Sequence, residues 1–203
     1  MSTSAVRSIG TKGVPRAERE QQIVAAAVVE FAAAGYAAGS LTRVATAAGI
    51  SKPLVYQYFG SKDGLYLACL HDVVGGLLAR LADAELDVDD TVASRIHPLR
   101  AIFAALEPRR EAWRLLFDPS APTTGPISEV TAQYRAQTAE LAASGSASFL
   151  RARGTYTELD ASALTAVWMG LVDSLVSWWL EHPDEPAESM VARCERLLTA
   201  VLT

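Results

Sequence analysis

Within GISKPLVYQYFGSKDGLY, residues 49–66, two lysines, a glutamine, a phenylalanine and three tyrosines crowd one short stretch. Such side chains can engage a nucleic acid. A lysine contacts a guanine edge or a phosphate, a glutamine reads adenine, and a tyrosine bonds a phosphate or packs on a thymine methyl. Aromatics at helical spacing also build cores, and periodicity separates the two uses. Val55 and Phe59, at i and i+4, form an inward stripe, which turns Lys52, Pro53, Tyr56 and Gln57 away from it. Tyr56 and Tyr58 lie two apart and cannot share one buried face, so at least one points outward.

The elements that hold these residues are marked by caps and breakers. A first helix begins near Pro15, with Ile23, Ala27, Phe31 and Ala34 on one face, and Gly35 ends it. Ser40 stands where an N-cap belongs, and Leu41, Val44, Ala45 and Ala48 follow at i, i+3, i+4, i+7. Gly49 stops this second helix after about two turns. Ser51 is the next N-cap candidate, Pro53 falls in the first turn, and Gly60 breaks the third helix. Ser61 caps a fourth, Asp63 sits at its positive end, and Gly75-Gly76 is a soft spot along it. Ala45, Gly49 and Val55 stand at offsets 0, +4 and +10: a small residue for close approach, a glycine for the turn, a branched residue for the wedge. That is the helix-turn-helix pattern, whose second helix enters the major groove. Ser40, Thr42 and Arg43, opening the second helix, are positioned for the phosphate backbone, aided by free amides.

Charge is distributed to match. Residues 1–62 carry seven basic and three acidic groups, whereas the remainder holds eleven arginines, no lysine and twenty acids. A basic front on a chain of net charge −5 points to a polyanion partner for the front alone.

The wider composition predicts an all-α chain, rich in alanine and leucine and poor in alternating β-branched runs. No uninterrupted apolar run reaches the roughly 18 residues of a membrane span, and the polar N-terminus lacks a signal-peptide core. Cys69 and Cys194 form no CxxC pair, which with the missing signal predicts a reduced, cytoplasmic setting and no membrane. An enzyme finds little support. His71, His97 and His182 lie in unrelated segments, Cys69 and His71 diverge on a helix, and neither a phosphate loop nor a GxSxG elbow is present. No metal site and no cofactor is predicted.

Further helices are expected over about 92–106 (with Pro98 inside), 109–117, 127–150, 161–180 and 187–202, making about nine in all. The domain division is a flexible arm over 1–14, a helix-turn-helix domain over 15–62, and a larger helical domain over 63–203. An acidic stretch, ELDVDD, lies between the fourth and fifth helices.

The run SLTRVATAAGISKPLVYQYFGSKDGLYL, residues 40–67, resembles the DNA-binding domain of the TetR family of transcriptional regulators. Val44-Ala45, Ala48 to Ser51, Val55-Tyr56, Tyr58-Phe59, Ser61 to Asp63 and Leu65 match the family's pattern "IA..AGVS…LY.YF.SKE.L". The likeness is specific over residues 15–70; beyond them it rests on length and helicity. It implies that Ser51, Lys52, Pro53, Leu54, Tyr56, Gln57 and Tyr58 face DNA and that Lys62 meets a phosphate. Two positions depart from the family's habit: Arg43 stands where an acidic residue is usual, and Leu54 where a small one is frequent.

The resemblance further implies a regulator, a repressor released by a small effector, binding a near-palindromic double-stranded operator as a homodimer. The dimer would use the last two helices, with Leu164, Leu171, Leu175, Trp178, Trp179, Val191 and Leu198 at the interface. An effector pocket would lie in the middle helices, with Phe103, Trp113, Phe117, Tyr134, Trp168 and Met169 as lining candidates. They include no convergent charges, so the effector expected is mainly apolar.

Overall fold

The computed structural model describes residues 14–84 and 92–202, with side chains over 14–81 and 98–200. The arm over 1–14, save its last residue, and the ELDVDD stretch lie outside the described residues, as does the side chain of His97. The order is α1 (Arg16–Ala38), α2 (Leu41–Ala47), α3 (Lys52–Phe59), α4 (Lys62–Ala84), α5 (Val92–Leu106), a 3-10 segment (Glu107–Phe117), α6 (Pro126–Ala152), α7 (Glu158–Leu180) and α8 (Ala187–Leu202). Among the described residues there are thus eight α-helices and one 3-10 segment, with no strand.

Helix α1 is two pieces. Gly35 has φ +72°, outside the helical region, so the regular helix ends there and Tyr36–Ala38 form a short continuation in a new direction. An added Cβ at Gly35 would lie 2.7 Å from the Ser120 hydroxyl, so glycine is needed for space as well as for backbone. Gly49, at φ +66°, makes the turn between α2 and α3. The Ser40 hydroxyl accepts from the Arg43 amide at the start of α2, and the Ser61 hydroxyl accepts from the Gly64 amide at the start of α4. Ser51 holds the N-cap position of α3 with extended backbone, yet its side chain makes no capping bond. The Gly75-Gly76 pair interrupts nothing, and α4 runs through it. Pro98 likewise lies inside α5.

Residues 109–117, expected as an α-helix, belong to the 3-10 segment. Pro108 removes a donor from its first turn, and Arg109 is non-helical at φ −151°, ψ 55°. Three residues per turn stack Ala112 on Leu115 and Trp113 on Leu116, all four buried. Eleven residues carry too few repeats to tell that spacing from an α-helical one.

The core is continuous. It begins where α1 (Ile23, Phe31) meets α2 and α3 (Val44, Val55), follows α4 through Leu65, Leu70 and Leu77, and ends among Phe103, Trp179 and Met190. Helix α4 therefore belongs to the small N-terminal head and to the larger helical body alike. In the body α5 packs on α4 and α8, and α6 packs on α4 and α7.

By length and composition, three stretches among the described residues are apolar enough to cross a membrane: Arg16–Ala38, Lys62–Leu81 and Glu158–Leu180. This stands beside the lack of an uninterrupted apolar run, because a few scattered charges break a run without making a helix polar. In α7 only 17% of the most apolar window is buried within the chain.

Candidate nucleic-acid interface

Helix α3 is eight residues long and held from within by Val55, which is fully buried. Its outer face presents Lys52, Pro53, Tyr56 and Gln57, all exposed, with Tyr56 keeping 43% of its surface. The Lys52 ammonium lies 6.0 Å from the centre of the Tyr56 ring, one turn away, so a cation and an aromatic face stand side by side. Leu54 is half-buried at the edge of this face. Tyr58 is also half-buried, with the Arg16 guanidinium 5.2 Å over its ring, so it braces the start of α1. Ser51 and Thr42 are exposed, and Ser40 is half-buried.

Two expected phosphate contacts have other partners. Arg43 donates through Nε to both oxygens of Glu30, at 2.9 Å each, and through Nη2 to Glu30 and to the Ala38 carbonyl. Arg43 thus ties α2 to α1, with its side chain still 60% exposed. Glu30 also accepts from the Ser40 amide at 2.8 Å, so one carboxylate fixes both the entry to α2 and its first turn. Lys62 donates to the Ala37 carbonyl at 3.1 Å and lies 4.8 Å over the Tyr36 ring. At least one of its three N–H groups is engaged within the chain.

The Glu30 carboxyl is held below its ordinary value of 4.5, chiefly by the hydrogen bond from Arg43. A carboxyl depressed on folding stabilises above its unfolded pKa and loses that contribution as pH falls through the folded one. The thermal midpoint should therefore fall on acidification from about pH 6 to about pH 3, and Glu30→Gln should flatten the part due to this pair. A Glu30→Gln profile parallel to the wild type would contradict that assignment.

In the body, the six effector candidates are spread over α5, the 3-10 segment, α6 and α7. Phe103 is fully buried edge-on to Trp179, at 5.2 Å between ring centres, so it is a packing residue. Trp113 and Phe117 come within 5.3 Å of each other and border an open groove of about 630 Å3 between α1, the 3-10 segment and the end of α7. Tyr134 is half-buried and hydrogen-bonded to His71 of α4, and Trp168 and Met169 are half-buried on α7. Of the dimer candidates, Trp179 and Val191 are buried within their own chain and are corrected to core residues. The Trp179 indole donates to the Glu185 carbonyl at 2.7 Å. Leu164, Leu171, Leu175 and Leu198 remain half-buried, and Trp178 is exposed. Val167, Leu159 and Leu197, exposed by 66%, 83% and 52%, extend that apolar surface; the first two lie on α7 and Leu197 on α8.

The Cys69 thiol is buried, and burial pushes its pKa up, which removes the thiolate character a nucleophile needs. Among the described residues no three His, Cys, Asp or Glu side chains are placed to hold a metal ion.

Two short helices about a left-handed glycine, with a polar and aromatic outer face on the second, define a helix-turn-helix protein. Residues 23–69 match the family model for bacterial regulatory proteins, tetR family. Residues 23–69 are thus a domain of the TetR-family type. It is 35% identical over 105 residues to the HTH-type transcriptional activator FasR of Mycolicibacterium smegmatis, a match covering 52% of this chain and 48% of that one. The chain spans about half the length of the first curated relatives it matches. The fold extends further than the sequence likeness. A TetR-like regulator from Rhodococcus sp. RHA1 superposes with a TM-score of 0.73 at 24% identity, covering 94% of this chain and 98% of that one. FadR of Bacillus subtilis, solved in complex with stearoyl-CoA, superposes at 0.67 and 16%, covering 85% and 91%.

Proposed function

We propose that this chain is a sequence-specific DNA-binding transcriptional regulator. It acts in the cytoplasm as a homodimer on a near-palindromic duplex, and a small, mainly apolar effector in its helical body releases it. The outer face of α3 carries the reading: a short helix anchored by Val55 that leaves Lys52, Tyr56 and Gln57 unburied. Thr42 and the opening amides of α2 supply the phosphate contacts, and Arg43 holds them in place through Glu30.

Dimerisation is supported by the largely unburied apolar surface of α7, continued by Leu197 of α8. One head reads few base pairs, and two heads joined through these helices read two half-sites about one helical turn apart. The aromatic character of the effector candidates suggests an apolar ligand, and the groove beside Trp113 and Phe117 adds Arg114, Asp118, Asp173 and Glu181 for a polar end. The Bacillus subtilis neighbour was solved with stearoyl-CoA, which makes long-chain acyl thioesters the first compounds to screen. Repression is the outcome proposed, although the Mycolicibacterium smegmatis relative is named an activator.

Selection from random duplexes tests the proposal. Enrichment of a near-palindrome supports it, and recovery of unrelated sequences at the starting frequency would refute it.

A further inference from the structure

The break in α1 leaves backbone groups without helical partners, and the body provides some of them. The Tyr36 amide donates to Asp118 Oδ2, and the Ala37 amide donates to the Ser120 hydroxyl at 3.1 Å. Both acceptors lie more than eighty residues further along, just beyond the 3-10 segment. The same Asp118 oxygen accepts from the Tyr66 hydroxyl of α4 at 3.2 Å. The other oxygen accepts from the Ser120 amide at 2.9 Å and its hydroxyl at 2.7 Å. Asp118 thus takes donors from two helices, α1 and α4, and from its own loop. Burial alone would raise its carboxyl, but the bonds from Ser120, Tyr36 and Tyr66 together hold it below the usual value, so it is ionised at neutral pH.

The carbonyl side of the break is gripped from the head. Arg43 of α2 reaches the Ala38 carbonyl, Lys62 at the start of α4 reaches the Ala37 carbonyl, and Asp63 accepts from the Tyr36 hydroxyl. Residues 35–38 therefore form a node between α2 and α4 on one side and Asp118-Ser120 on the other. Helix α2 starts three residues after the node, so displacement of the node carries α2 and α3 with it. The 3-10 segment in turn touches the body on two elements: Arg109 pairs with Asp72 of α4 at 2.6 Å, and the Trp113 indole reaches Asp173 of α7 at 3.4 Å.

We propose that Asp118, with Ser120, is a positioning residue for DNA recognition: it clamps the α1 break to the body and so fixes where each reading helix stands relative to its partner in the dimer. This rests on the DNA-binding reading above. Asp118 does not touch DNA. It sets the separation of two heads, so its loss should leave each head's own reading intact and blur the spacing between half-sites. Charge-assisted bonds from backbone amides to a carboxylate suit the task, being short and directional.

The test uses Asp118→Asn, which turns one acceptor oxygen into a donor facing other donors, and Ser120→Ala as a milder second variant. Amide exchange at Tyr36 and Ala37 reads the clamp. Titration against a selected duplex, its single half-site, and the duplex with one base pair inserted between half-sites reads the consequence. In Asp118→Asn the two amides should exchange about tenfold faster or more. Half-site affinity should stay within about twofold, two-site affinity should fall about tenfold, and the insertion penalty should shrink. Ser120→Ala should shift the same quantities in the same direction by less, and serves alone if Asp118→Asn does not fold. Freed amides with unchanged two-site affinity and insertion penalty would overturn the proposal, as would a parallel loss of half-site affinity. A wild-type chain that selects no duplex would overturn the DNA-binding reading instead; unchanged amide exchange in the variants would then overturn the clamp separately.

Discussion

Tyr56→Ala and Gln57→Ala, each made singly, should lower affinity for the selected duplex by about tenfold to a hundredfold, the 1–3 kcal/mol expected of a base-reading contact. The thermal midpoint should barely move, because both side chains are exposed and the Lys52–Tyr56 contact is a surface one. Val55→Ala is the contrasting control. It lies on the same helix, fully buried, and should lower stability while the surviving folded fraction still reads the same sequence. A Tyr56→Ala protein that binds as the wild type does would show that the aromatic of the outer face is idle. A Gln57→Ala protein that loses affinity equally for every duplex would reassign that residue from base reading to phosphate contact.

Phe31→Ala should be the most damaging substitution in the head, costing about 3–5 kcal/mol as large-to-small changes of buried aromatics do. Phe31 is 2% exposed and meets the edge of Tyr66 at 5.0 Å between ring centres. It also sits against Gly39, where an added Cβ would come within 2.5 Å of its ring. The ring therefore fills the space where α1, α4 and the turn into α2 converge. At roughly 2–4 °C per kcal/mol for a chain of this size, the midpoint should drop by about 10 °C. Urea denaturation and a thermal scan would both read it. A loss below about 1 kcal/mol would mean that the head relaxes into the cavity and is not close-packed there.

The head was legible from sequence because its determinants are local. Ser40, Gly49, Ser61 and the Val55/Phe59 stripe act over one or two turns, and spacing alone carries them. What stayed hidden depends on contacts between distant positions. The tie from Arg43 to Glu30 joins residues thirteen apart on two helices, at no periodic spacing. Lys62 and the Ala37 carbonyl are twenty-five apart, and Asp118 and the Tyr36 amide eighty-two. Gly35 was the one sequence signal of that node, read as a helix stop and nothing more. Trp178 and Trp179 show the same limit on α7. Adjacent residues point different ways, and only the packing of Phe103 shows that Trp179 is the inward one.

The most direct measurement is a titration of the selected duplex and of a scrambled duplex of equal length, repeated across salt concentrations. The selected duplex should bind about a thousandfold tighter or more at physiological salt. Log affinity should fall linearly with log salt for both, and Lys52→Ala should reduce the slope by about one if it meets a phosphate, or relax specificity if it meets a base. Equal affinity for selected and scrambled duplexes, or no salt dependence, would contradict the account of α3 as a reading helix.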